Sequence, residues 1–143
     1  MSARLGPLAH PWVVRGAQVA IGLVFVAAAL GKIGDGAYFS QQVHNYRLAP
    51  LWTENLVAMT FPWIELVAGV ALVTGPRRRA GAAVALAFMV FFTLAVGAAW
   101  ARGLDFQCGC FGKAGAATIG AAKFAENVGL SLRAWVACLR PRA

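Results

Sequence analysis

Between Ala80 and Trp100 the chain runs for twenty-one residues without a charged side chain. At 1.5 Å per residue a helix of that length reaches about 31 Å, the thickness of a bilayer's hydrocarbon core. Three further stretches have a similar character: roughly Trp12 to Ile33, Glu54 to Thr74 and Ile119 to Leu139. The rest of the composition agrees. Hydrophobic residues make up 60% of the 143 positions and charged residues 13%, against about half and a quarter in a soluble domain. Thirteen basic and five acidic side chains are too few to cover a water-soluble globule of this size. A soluble enzyme, a disordered tail and a secreted disulfide scaffold are therefore excluded, and the expectation is an all-α integral-membrane domain over residues 1–143.

The last stretch is the most polar of the four, with Lys123, Glu126, Asn127 and Arg133. Lys123, Glu126 and Asn127 lie at i, i+3 and i+4, so one face can turn them toward other helices. The first stretch follows Arg4 as a signal peptide would, but its apolar run is longer than a signal core and no soluble domain follows. An uncleaved helix is expected.

The net charge of +8 does not point to nucleic acid, because the basic residues fall singly between apolar runs apart from Arg77-Arg78-Arg79. That distribution suits helix-end anchors and orientation signals in contact with membrane lipid. With four spans, one side carries both termini and the triplet; the other carries Lys32, Arg47, Arg102 and Lys113, offset by Asp35, Glu54 and Asp105. The positive-inside rule then predicts a four-helix transmembrane bundle with both termini in the cytoplasm. Trp12 and Trp135 would mark the inner interface, and Tyr46, Trp52 and Trp100 the outer one. Small residues four apart, Gly16 with Ala20 and Gly81 with Ala85, would let helices approach closely.

Two of the three cysteines form Cys108-Gly109-Cys110, followed by Phe111. The predicted topology puts them outside the membrane, where disulfides persist. Cysteines one residue apart close only a small, strained ring, for which Gly109 supplies backbone freedom. A strained disulfide is readily reduced and suits exchange better than stapling. Two unpaired thiols, a soft-metal site with His44 as the nearest further ligand, and separate disulfides to a partner protein are the competing readings. Cys138 is expected to be an inert packing residue at the cytoplasmic end of the last helix.

Glu65 stands well inside the second apolar stretch, one turn after Pro62, which frees a carbonyl and loosens the helix. A carboxylate there costs several kcal/mol unless paired or protonated. It serves either as a proton acceptor or hydrogen-bond partner for a bound quinone or substrate, or as a packing contact to Lys123, Asn127 or Gln18. Lys123 and Glu126 are expected to pair within their helix. Arg15 and Lys32 are expected to snorkel to the two headgroup regions.

Several of these residues carry a resemblance. Gly31-Lys32 with Asp35, then Phe39, Val43, Tyr46, Leu48 and Pro50, then Pro62 with Glu65, Leu66 and Gly69, and finally Arg102-Gly103 leading into Cys108-Gly109-Cys110-Phe111-Gly112 resemble the MauE branch of the DoxX-like membrane proteins. The likeness covers roughly residues 12–135, and the cysteine loop is its most specific part. It implies a four-helix membrane protein with an outward cysteine pair. It further implies a role in methylamine utilisation, supporting maturation of the disulfide-rich small subunit of methylamine dehydrogenase beside a thioredoxin-like partner. Related DoxX-like proteins include a subunit of a thiosulfate:quinone oxidoreductase. Quinone-linked disulfide-forming enzymes use a second cysteine pair as a relay, and this chain has none.

The leading expectation is a bacterial inner-membrane protein engaged in periplasmic thiol–disulfide exchange with a thioredoxin-like protein or a disulfide-containing client. Cys108 and Cys110 would exchange, Gly109 would allow closure, Phe111 and Trp100 would rim the docking surface, and Glu65 with Lys32 would line a polar site below. The alternative is a non-catalytic subunit buried in a larger membrane complex. Transport through the bundle has no filter or broken-helix pair to support it.

Overall fold

The computed structural model describes residues 7, 10–48, 50–106 and 118–139. Among them are five helices and no strand: α1 (Pro11–Gly34), α2 (Gly36–Asn45), α3 (Leu51–Thr74), α4 (Arg78–Ala101) and α5 (Ala121–Ala137). α1, α3 and α4 each have 24 residues and are long and apolar enough to cross a membrane. α5 has 17 residues, about 26 Å; it buries Lys123 and Asn127 as expected, but Glu126 is exposed.

Local chemistry accounts for the boundaries. Pro11 opens α1 at a position where its missing N–H costs nothing, and the His10 ring accepts from the Trp12 N–H at 3.4 Å. The helix stops at Asp35, whose φ of −142° leaves the helical region. The Asp35 carboxylate then accepts from the Tyr38 N–H at 3.0 Å and starts α2. The four apolar stretches predict no helix between Ile33 and Glu54, so α2 is an addition, and α3 begins three residues before the expected Glu54. α3 passes through Pro62 without ending.

α1 packs most extensively on α3, α3 on α4, and α4 on α5, which returns to α1; α2 lies on the first half of α3. The closest approach is between α1 and α3. A Cβ on Gly22 would stand 2.9 Å from the Gly69 carbonyl oxygen, and one on Gly69 only 2.8 Å from that of Gly22. Only glycine fits there. Gly81 and Ala85 are buried against neighbouring helices as expected, with the position of a Gly81 Cβ 3.0 Å from the Ala68 oxygen. Gly16 and Ala20 face outward instead.

The interior is inverted relative to a soluble protein. Gln18, Lys32, Gln42, Glu54, Glu65, Lys123 and Asn127 are buried, while Leu23, Leu30, Met59, Trp63, Val67 and Leu94 are exposed. Apolar side chains outside and paired polar groups inside are what a bilayer requires. Trp12, Trp52, Trp100 and Trp135 are exposed as an interfacial belt would be, but Tyr46 is buried and is no part of it.

Candidate functional site

Two features concern function: a buried ion pair between α1 and α3, and the stems of the cysteine segment. At the first, the Lys32 ammonium lies 2.7 Å from both carboxylate oxygens of Glu65. The two side chains are 1% and 3% exposed. Phe39 of α2 and Phe92 of α4 face the same ammonium, with ring centroids 5.2 and 5.1 Å away. Bidentate pairing and two ring faces together compensate the buried charge.

Lys32 therefore does not snorkel to the headgroups. α2 folds over the end of α1 and brings Phe39 onto it, and the ammonium turns inward to the Glu65 carboxylate. Glu65 finds its partner in Lys32 rather than in Lys123, Asn127 or Gln18. Lys123 instead reaches Glu126 at 3.1 Å, as the i, i+3 spacing predicts. Gln18 donates to the Ala137 carbonyl at 3.1 Å, holding α1 to the end of α5. Arg15 caps α3, donating to the Leu72 and Val73 carbonyls at 2.8 and 2.7 Å.

Asn127 shares a cavity of about 20 Å³ with Lys32, Glu65, Phe25, Met89 and Phe92. Its Nδ2 is buried and has no hydrogen-bond partner among the described residues. A space of that size accepts about one water. On its other side Lys32 borders an open groove of about 490 Å³ that includes Ser40, Asn55, Met59, Pro62 and Trp63. Lys32 thus stands between an open groove shared by α1, α2 and α3 and a small, mostly apolar cavity inside the bundle.

Cys108, Gly109, Cys110 and Phe111 lie outside the described residues. Both stems of their segment are described. Ile119 donates its N–H to the Phe106 carbonyl at 2.9 Å. Phe106 meets the Tyr46 ring edge-on at 4.8 Å, and both sit with Ile119 on Ala95, Val96 and Ala99 of α4. Arg102 donates to the Tyr46 carbonyl at 3.0 Å, joining the end of α4 to the end of α2. Burial pushes the Tyr46 phenol above its ordinary value. Trp100 is half exposed and packs on Phe124 at 5.9 Å.

The sequence named Phe39 only through the family resemblance and gave no sign of its contact with Lys32, of Phe92 or of the Tyr46–Phe106 contact. Asp35 three residues before Tyr38 was the available signal for α2, and hence for Phe39. Cys138 is partly buried against the main core, the length of α5 away from Ile119. Among the described residues no cluster of three or more metal-ligating side chains occurs.

The family model for methylamine utilisation protein MauE matches residues 10–140. Methylamine utilization protein MauE of Methylorubrum extorquens is 32% identical over 141 residues, covering 95% of this chain and 76% of that protein. The protein of the same name from Paracoccus denitrificans is 33% identical over 105 residues, covering 73% of this chain and 56% of the relative. That of Methylophilus methylotrophus is 34% identical over 101 residues, covering 70% and 53%. The chain thus spans about half to three quarters of the length of these relatives. No solved structure matches. By family model and relatives alike, the chain belongs to the MauE family of methylamine utilisation proteins.

Proposed function

We propose that this protein resides in a bacterial inner membrane as a four-helix bundle with both termini inside, and that Cys108 and Cys110 exchange disulfides in the periplasm. The exchange serves maturation of a disulfide-containing redox enzyme of methylamine utilisation, through a thioredoxin-like protein or directly on the client. The observation that carries this reading is the Ile119–Phe106 hydrogen bond. It closes the stems of the cysteine segment on one end of the molecule, where α4 finishes, whereas Arg77-Arg78-Arg79 stand where α4 starts. With the arginines retained inside, the cysteines face the oxidising compartment.

α5 supports the four-helix reading. Its exposed side includes Val128, Leu132 and Trp135, while Lys123 and Asn127 are buried. Its reach of about 26 Å is close to the thickness of a hydrocarbon core.

In the exchange, a thiolate of the reduced pair attacks a sulfur of the partner's disulfide and releases one partner thiolate. The second cysteine then attacks its neighbour in the mixed disulfide and releases the other. Two electrons pass from the pair to the partner, the two thiol protons end on the released thiolates, and Cys108–Cys110 is oxidised. The reverse sequence oxidises a client dithiol. This exchange needs no quinone bound to the chain, because the partner's disulfide or dithiol is the co-reactant. Gly109 gives the pair the freedom to close, and Phe111 with half-exposed Trp100 provides the apolar rim. Lys32 and Glu65 hold α1 to α3 beneath it.

Replacing both cysteines with serine tests the reading. Maturation of the client enzyme is expected to fail while the protein remains in the membrane at its normal level. Full maturation with both serines in place would leave the accessory-subunit role instead.

A further inference from the structure

At the end of the molecule where α1 begins, α3 ends and α4 begins, Trp12, Arg15, Gln18, Arg77, Arg78 and Arg79 surround an open groove of about 620 Å³. None of the five Asp and Glu side chains, all on described residues, lines it. Asp35 caps α2, Glu54 meets His44 at 2.8 Å, Glu65 holds Lys32, Glu126 holds Lys123, and Asp105 follows α4. Two of the arginines are partly engaged with backbone. Arg15 caps α3, and Arg78 donates from Nε to the Gly75 carbonyl at 3.1 Å.

The turn that presents the triplet is built against its own electrostatics. Arg77 adopts the left-handed conformation, φ 54° and ψ 31°, which is disfavoured for a residue with a Cβ. α4 starts directly after it with Arg78 and Arg79, no acidic residue in its first turn and no side-chain cap. A helix N-terminus carries partial positive charge, so three guanidiniums there add repulsion. Exposed Trp12 lines the same groove, and tryptophan favours the membrane–water interface.

We propose that this groove is a binding site for the phosphate headgroup of an anionic phospholipid. The proposal rests on the spanning of a membrane by α1, α3 and α4, and not on the cysteine chemistry. Arg77 and Arg79 take the phosphate, Arg15 and Arg78 form the cationic wall, and Trp12 marks the headgroup–acyl boundary. A basic pocket between membrane helices with an aromatic at the interface matches a charged headgroup attached to apolar chains. A free phosphate would satisfy the charge but would leave Trp12 and the apolar flank of α1 without a role.

The test uses the full chain purified in a neutral detergent, with thermal unfolding and native mass spectrometry read against added lipid. Cardiolipin or phosphatidylglycerol is expected to raise the unfolding midpoint and to remain bound, whereas phosphatidylcholine does neither. Arg77→Gln with Arg79→Gln is expected to weaken anionic-lipid binding about 20–30-fold. Arg77→Lys with Arg79→Lys keeps the preference for anionic lipid, which separates charge from misfolding. Arg47→Gln, at the opposite end, leaves binding unchanged.

Equal binding of phosphatidylcholine, or undiminished binding by the double glutamine variant, overturns the proposal. So does inorganic phosphate that stabilises equally and displaces the lipid. The same lipid response in a Cys108→Ser, Cys110→Ser background shows that this site stands apart from the exchange chemistry.

Discussion

Lys32 of α1 and Glu65 of α3 meet with both carboxylate oxygens 2.7 Å from the ammonium, sealed between the rings of Phe39 and Phe92. The pair ties the last turn of α1 to the interior of α3, and three helices contribute to enclosing it. Removing one partner strands the other as a buried, unpaired charge, at a cost of about 3–5 kcal/mol. Lys32→Met and Glu65→Gln are each expected to lower the unfolding midpoint in detergent sharply. The double change Lys32→Met with Glu65→Leu is expected to recover much of that loss. A double variant as unstable as the sum of the singles would contradict the pairing.

The α1–α3 crossing gives a second prediction. Gly22→Ala and Gly69→Ala each place a methyl within 3 Å of opposing backbone, and overpacking of that kind costs about 1–3 kcal/mol. Gly16→Ala, where the added methyl meets nothing within 4 Å, is expected to leave stability unchanged or slightly raised. Thermal unfolding of the three variants side by side checks this.

Sequence and structure part company in an instructive place. α1, α3 and α4 were legible because each is a long apolar run, and length and hydropathy are local properties. α2 was not, since its Ser40-Gln41-Gln42-Val43-His44-Asn45 stretch reads as a polar loop. It is helical because Asp35 caps it and α3 buries Phe39 and Gln42. Without α2, Lys32 looks like a lysine at the end of a span, free to reach the headgroups. The need of Glu65 for a partner was readable; which partner depended on how far α3 extends past α1. The Gly22–Gly69 crossing was not legible for the same reason, although Gly69 belongs to the family resemblance. Their importance lies in a crossing between helices, and glycine is abundant throughout the chain.

Tyr46 supplies a pH prediction. Burial favours the neutral phenol, so the folded protein holds a proton that the unfolded chain releases around pH 10. The contribution to stability is present below that value and is lost as pH rises beyond it. In a Tyr38→Phe background, absorbance at about 295 nm is expected to stay flat through about pH 11 and then to rise together with unfolding. A smooth titration near pH 10 in folded protein would contradict the buried placement.

The stems of the cysteine segment give a fourth. Phe106→Ala removes the ring that meets Tyr46 at 4.8 Å and loosens the anchorage beside the Ile119 hydrogen bond. Loss of a packed aromatic costs about 3–5 kcal/mol where the site is fully buried and less at a margin such as this one. After reduction, maleimide labelling of Cys108 and Cys110 is expected to speed up several-fold, with Cys138 labelling unchanged. Unaltered rates would detach the stem contact from the behaviour of the pair.

The central claim, an exchanging cysteine pair on the outer side, is tested most directly by thiol trapping in intact cells. A membrane-impermeant maleimide is applied with and without prior reduction to the Cys138→Ala protein. The account predicts labelling of Cys108 and Cys110 only after reduction, which signifies an outward and oxidised pair. Absence of labelling under both conditions would contradict it, since the pair would then lie on the inner side or be sealed from any partner.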